Sequence, residues 1–286
     1  IYGGLAAHVS RMLNPELKFR LTTDAVDAVK DADYIITTIR VGGDHMRVRE
    51  ERIALANGVL GQETTGAAGL SFAMRSVPVL AEYCELIRQY AKPTVKVFNF
   101  TNPAGVVSQT LRDMGYDFTY GICDAPSGML HQFADLYGVS ADRIVGECYG
   151  LNHLSFFRSI KIDGKEIMPE LISRDDAYRE TDMRFFGKDL LEHMGCVLLC
   201  APNQGAIPGL RDNDIVEITC DIAPDSCTPH KVTDGDERAL ELIRRVKAYE
   251  RLASKAIREK SRTAAIDCLT LHPLVNSYSL AVKLVD

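Results

Sequence analysis

The sequence predicts an α/β fold: a Rossmann-like, doubly wound parallel sheet followed by a second, α+β domain. Three observations carry this. Strand and helix patterns alternate over residues 18–124. The short runs DYIITTIR and TVKVFNF are β-branched and apolar, as parallel strands buried on both faces are. The second half instead shows a hairpin pattern and a long amphipathic helical stretch.

Taken in order, KFRLTTD (18–24) reads as a strand running into a turn, and DAVDAVKDA (24–32) has helical spacing. DYIITTIR (33–40) is a strand followed by Val41, Gly42 and Gly43. Residues 67–91 are a long helix with Ala73, Val77, Leu80, Cys84 and Ile87 on one face, ended by Pro93. TVKVFNF (94–100) is the next strand, residues 104–114 a helix, and FTYGICD (118–124) a further strand. Residues 156–167 form a hairpin turning at Asp163 and Gly164. Residues 170–195 are polar and mostly helical, and NDIVEITCDIAP (213–224) alternates like a half-exposed strand. Residues 236–269 make about two amphipathic helices. The domain boundary falls near 152, dividing the chain into 1–152 and 153–286.

Two features read as missing sequence. The chain opens inside what fits the helix that follows a Gly-rich phosphate turn, without that turn or its strand. Near 197–199 it passes from helix to strand with almost no connection, as if two pieces were joined across a loop.

Composition narrows the function. The 286 residues carry 33 Lys and Arg against 39 Asp and Glu, a net charge of −6, so no global basic footprint favours nucleic acid or an anionic membrane. No apolar run reaches the roughly 20 residues of a membrane span, and no signal peptide is visible. Eight scattered cysteines in a chain of this length fit reduced thiols in a cytoplasm.

Five blocks place polar residues at predicted strand ends, where ligands of open α/β sheets bind. Cys123 and His153 have a thiolate and an imidazole to share a divalent metal; the bland reading is a buried Cys and a satisfied His. Asp124 suits a general acid or a metal neighbour, and equally a helix N-cap before Ala125 and Pro126. Asn102 before Pro103 is a turn residue or an amide orienting a substrate hydroxyl. Gln62, Glu63 and Thr64 lie between two glycines, in a ligand loop or a surface loop. Arg40 and Arg47 either clamp a phosphate or carboxylate or stay solvated. The remaining histidines show no paired spacing and read as structural or surface groups.

Seven blocks together resemble glycoside hydrolase family 4, glycosidases that need NAD and a divalent metal. They are LTTD (21–24), DYIITTIRVGG (33–43), GQETTG (61–66), FNFTNPAG (98–105), GICDAP (121–126), YGLNH (149–153) and PNQGAI (202–207), in family order over most of the chain. Within the family they are most similar to the 6-phospho-glucosidases. The resemblance implies a lactate/malate dehydrogenase-like fold. It implies Cys123 and His153 as metal ligands, usually for Mn2+. It implies Arg47, Asn102 and Asn152 as substrate contacts, and Glu63 and Asp124 as active-site carboxyls, Asp124 serving as acid in some members. Thr38, Ile39, Arg40 and Asn99 match the strand ends where NAD lies. The implied reaction removes hydride from C3 of the sugar, abstracts the C2 proton, expels the aglycone, adds water and returns the hydride, outside two-carboxylate hydrolysis. The family's C2 base, a tyrosine, belongs to the stretch missing near 197–199, so no base is named. Asp124 resembles α-acting members, whereas IRVGG, GQETTG and FNFTNPAG resemble β-acting ones; more of the chain favours 6-phospho-β-glucosides, with 6-phospho-α-glucosides as the alternative. The partners expected are a phosphorylated disaccharide or glucoside and further copies in a homodimer or homotetramer. A 2-hydroxy-acid dehydrogenase would need a His–Asp relay that the sequence does not show, and a non-catalytic NAD-binding protein would bind the cofactor without turnover.

Overall fold

The computed structural model describes residues 2–185, 203–223 and 226–286. The first half holds α1 (Tyr2–Leu13), α2 (Ala25–Val29), β1 (Tyr34–Thr37), α3 (Gly43–Ala56), α4 (Gly66–Tyr90), β2 (Lys96–Asn99), α5 (Ala104–Asp113), β3 (Thr119–Gly121) and α6 (Ala125–Leu136). β1, β2 and β3 are parallel in that order, in the register Thr37 to Asn99 to Gly121. The helical crossovers between successive parallel strands make this a Rossmann-like sheet.

Local chemistry sets the element bounds. Asp24 caps α2 by accepting from the backbone N–H of Val26 and Asp27 at 2.9 and 3.2 Å. The stripe Ala73, Val77, Leu80, Cys84 and Ile87 is buried as its spacing predicts, and α4 ends three residues before Pro93. α4 and α5 pack Val77, Leu80, Val107 and Leu111 beneath one face of the sheet. The opposite face carries a row of neighbouring rings, Tyr34, Phe98 and Tyr120, with Tyr34 and Ile36 well exposed.

The expected strand at 18–24 does not form. The segment pairs with no strand among the described residues, and Leu17, Phe19 and Leu21 face solvent. A β-rich run without a neighbouring edge leaves its backbone to water.

The second half holds β4 (Ile144–Leu151), β5 (Leu154–Ile162), β6 (Lys165–Glu166), α7 (Met168–Ser173), α8 (Ala177–Glu180), β7 (Glu217–Ile218), β8 (Cys220–Ala223), β9 (Ser226–Pro229), α9 (Glu237–Glu259), α10 (Arg262–Leu271) and α11 (Tyr278–Val285). The main sheet is antiparallel, ordered β6-β5-β4-β7. Its β5–β6 turn is Asp163 and Gly164, both at positive φ, as predicted. The β4–β5 turn is Asn152 and His153, so the expected boundary near 152 lies within this hairpin. α9 and α10 are the two expected helices, broken at Lys260 in a left-handed conformation. The half-exposed strand expected at 213–224 is instead buried at Val216, Glu217 and Ile218. β7 pairs with β4, and Val216 and Ile218 share a core with residues of α9.

One core joins Tyr149, Leu151 and Phe156 to α9 and α10; another packs Cys148, Phe157 and Ile160 against α6 and α7. A bulge between Glu147 and Cys148 shifts the register within β4. The expected join near 197–199, with His193, Cys196, Cys200 and Pro202, lies outside the described residues. No described helix is long and apolar enough to cross a membrane.

Candidate functional site

The parallel strands end side by side, and their ends carry the predicted residues. Thr37 closes β1 and Asn99 closes β2; the Thr37 hydroxyl donates to Asn99 Oδ1 at 2.9 Å. Asn99 Nδ2 donates to the Thr101 carbonyl at 3.0 Å, and the Thr101 hydroxyl accepts from the Ile39 N–H at 3.0 Å. Asn99 is fully buried, so its amide shapes the strand end from within. Beyond it Thr38 and Arg40 are exposed, and Ile39 is half-buried. Gly42 and Gly43 follow at φ +83° and +60°, and nothing lies within 4 Å of where a Gly43 Cβ would stand. This open backbone at a strand end fits a bound dinucleotide.

Glu63 gathers three other predicted residues. Its Oε2 pairs with the Arg40 guanidinium at 2.5 Å and with Arg47 Nε at 3.4 Å. Its Oε1 accepts from Asn102 Nδ2 at 3.3 Å. Arg47 also pairs with Glu51 at 2.9 Å, one helical turn on, and that bond raises its pKa. Asn102 lies between Thr101 and a cis peptide to Pro103. A loop, two arginines and a strand-end amide thus share one carboxylate.

The second cluster lies on the neighbouring strand. The Ile122 N–H donates to the Asn99 carbonyl at 2.9 Å, which sets Cys123 beside the β2 end. The Cys123 sulfur is hydrogen-bonded by the His153 ring and by the Ala125 N–H at the start of α6. Burial alone would raise the thiol pKa; those two bonds outweigh it and hold it below the usual value. A thiol disposed to ionise beside an imidazole fits a divalent transition metal. Among the described residues no group of three or more His, Cys, Asp or Glu side chains is placed to hold a metal ion.

Asp124 is the N-cap residue of α6, as the bland reading has it, but its side chain makes no capping bond and is exposed. Its carboxyl is thus not used by the helix, next in sequence to Cys123. Asn152 and His153 form the β4–β5 turn, with Asn152 half-buried and His153 exposed at φ +59°. A Cβ on Gly105, in the first turn of α5, would meet Asn152 Cβ at 3.5 Å. The segment carrying Asn102 thus packs against the turn carrying Asn152.

One residue of this region was not anticipated. Glu217, in β7, is 2% exposed. It accepts from the Asn152 side chain and the His153 N–H, while its Oε2 has no hydrogen-bond partner among the described residues. Burial, with Cys123 adding, raises its pKa well above the carboxylate range. IVEIT reads as an alternating strand with Glu outward. The only hint was the apolar residue on each side.

The model of the family 4 glycosyl hydrolases matches residues 2–139, and that of their C-terminal domain matches residues 192–275. Among the relatives, a 6-phospho-beta-glucosidase of Thermotoga maritima is 26% identical over 93% of this chain and 82% of its own. A 6-phospho-alpha-glucosidase of Lacticaseibacillus paracasei is 36% identical, over 55% of this chain and 36% of its own. A solved structure of the Thermotoga maritima 6-phospho-beta glucosidase, with manganese, NAD+ and glucose-6-phosphate, has a TM-score of 0.86 at 23% identity, covering 98% of this chain and 86% of that one. Malate dehydrogenase of Plasmodium falciparum shares the fold at a TM-score of 0.60 and 14% identity, covering 90% of this chain and 86% of its own.

Proposed function

From the premise that this chain belongs to the family 4 glycosyl hydrolases, we propose that it hydrolyses 6-phospho-β-glucosides with NAD and a divalent metal, Mn2+ first. The observation that carries this is the Cys123–His153 pair beside the Glu63 network on adjacent strand ends. The named relative that aligns with most of this chain is β-acting, which supports the anomer. The Thermotoga maritima complex with manganese, NAD+ and glucose-6-phosphate supports the cofactors and a phosphorylated sugar.

In this reading Cys123 and His153 hold the metal. Thr38, Ile39 and Arg40 lie along the dinucleotide, and Asn99 acts on it by shaping the strand end. When bound, NAD would supply a hydride acceptor and donor, and a divalent metal would supply Lewis-acid charge to the sugar oxygens. Asn102 and Asn152 orient sugar hydroxyls, and Arg47 meets the substrate. Glu63 sets the directions of Arg40, Arg47 and Asn102. Asp124, exposed and free of capping, gives its proton to the departing aglycone oxygen. Residues 1–152 carry the dinucleotide and 153–286 the rest, with the Asn152 and His153 turn at the division. Assembly as a homodimer or homotetramer and a cytoplasmic location complete the reading.

Asp124 and the 36% identical stretch shared with the Lacticaseibacillus paracasei enzyme favour a second reading, 6-phospho-α-glucosides. Full-length protein with NAD+ and Mn2+ is given nitrophenyl β- and α-glucoside 6-phosphates in parallel. Nitrophenol from the β-anomer is expected. Release from the α-anomer alone selects the second reading. NADH accumulating without nitrophenol would indicate a dehydrogenase.

A further inference from the structure

The turn between β4 and β5 presents both Asn152 and His153, and something must fix it. β4 and β5 pair up to the turn, Gly150 with Ser155 and Leu151 with Leu154. The ladder ends there, and His153 stands at φ +59°, a conformation that a non-glycine residue with a large side chain adopts at a cost. The sheet alone does not dictate where the imidazole points.

Glu217 reaches this turn from the other side of β4. It pairs with Gly150 in the β4–β7 ladder. From there its carboxyl spans the turn, accepting from the Asn152 amide and from the N–H of His153. Its Oε2 has no hydrogen-bond partner among the described residues. Glu217 makes no ion pair among the described residues, although the chain next to it supplies buried cation pairing elsewhere: Lys247 donates to the Ile215 carbonyl at 2.7 Å and pairs with Glu250 at 2.8 Å. Lys247 is thus committed to Glu250. A buried carboxyl whose bonds go to the two turn residues acts on the turn.

We propose that Glu217 is the positioning residue of the metal centre, clamping the Asn152 and His153 turn so that the imidazole meets Cys123. This rests on the reading of Cys123 and His153 as metal ligands. The clamp needs an acceptor oxygen at the right reach and does not need a negative charge. That distinguishes it from a ligand or a counter-charge.

Two near-isosteric variants separate these roles. Glu217→Gln keeps the acceptor and removes the ionisable group; Glu217→Asp keeps the carboxyl and withdraws the acceptor by one methylene. Mn2+ affinity is read from the free-Mn2+ electron paramagnetic resonance signal on full-length protein without substrate, with NAD+ affinity as a control. The expected result is Glu217→Gln within about threefold of the wild type, and Glu217→Asp weakened roughly 10- to 100-fold, the usual range for an outer-sphere partner of a metal ligand. NAD+ affinity stays unchanged in both. Weakening in Glu217→Gln as deep as in Glu217→Asp would overturn the clamp in favour of a charge or ligand role, and wild-type affinity in both would overturn any role. Wild-type protein that binds no Mn2+, or binds it equally well as Cys123→Ser, would instead overturn the metal reading and this inference with it.

Discussion

Glu63 receives bonds from three segments: Arg40 after β1, Arg47 on α3 and Asn102 after β2. Removing it frees two arginines and an amide together, and a displacement of about 1 Å in positioning groups costs on the order of 100-fold in rate. We expect Glu63→Ala to lower kcat/KM roughly 10- to 100-fold with unchanged circular dichroism. A variant within twofold of the wild type would show that the three donors hold their places without it. Glu63 was legible in the sequence because glycines flank GQETTG and free its backbone to turn toward a ligand. Asn99 was legible as a strand-end residue, but its bond from Thr37 was not, since a partner 62 residues away leaves no local pattern. Glu217 stayed hidden for the same reason. Burial on both sides of a two-residue strand is set by α9, which follows much later in the chain.

At the scale of elements, the GQETTG loop is anchored by a helix end from the far half of the chain. The Leu274 N–H donates to His272 Nδ1 at 3.2 Å, which leaves the proton on Nε2, facing the Thr65 hydroxyl at 2.7 Å. Tyr249 packs edge-on to the imidazole at 4.5 Å and donates its hydroxyl proton to the Gly66 carbonyl at 2.9 Å. Burial, with Arg245 adding, lowers His272 from 6.5 to about 4. The unfolded chain therefore takes up this proton before the folded one. The stability it contributes is full above pH 6.5 and is lost as pH falls toward 4. By pH 5 the loss from this residue is about 2 kcal/mol. Urea unfolding at pH 7 and pH 5 should show the wild type losing about that much more than His272→Gln. Equal pH dependence in the two proteins would contradict it. Reading spacing alone gave His272 as structural or surface, and could not choose, because its partners come from α4 and α9. By contrast α2, α4 and the Asp163 and Gly164 turn carry their own signals: a capping Asp, an apolar stripe and a turn pair. The run at 18–24 carried a strand signal too, but strand formation needs a partner edge that propensity does not supply.

Across the whole molecule, α9 joins the two halves. It packs against α5, α4 and the antiparallel sheet, and it buries Lys247 and Glu250 beside a half-buried Arg251. Arg251 pairs with Asp214 at 2.7 Å, and Glu250 abuts Gly105 so closely that a Cβ there would collide with it. Lys247→Met would leave Glu250 buried without its cation and is expected to cost about 3–5 kcal/mol, read by chemical unfolding. A cost below 1 kcal/mol would show that Glu250 is held neutral by burial alone. The alternation of strands and helices made the parallel sheet legible. The approach of α9 to the strand ends was not, because side-chain periodicity says which face of a helix is buried and not against what. On the proposed function, the strand-end site breaks a glycosidic bond through a transient oxidation. The most direct measurement is the initial rate of nitrophenol release from the 6-phospho-β-glucoside, with NAD+ and Mn2+ each withdrawn and restored. The account predicts that release stops without NAD+ or with EDTA, returns when each is added back, and leaves no accumulated NADH. Undiminished release without NAD+ and in the presence of EDTA would contradict it.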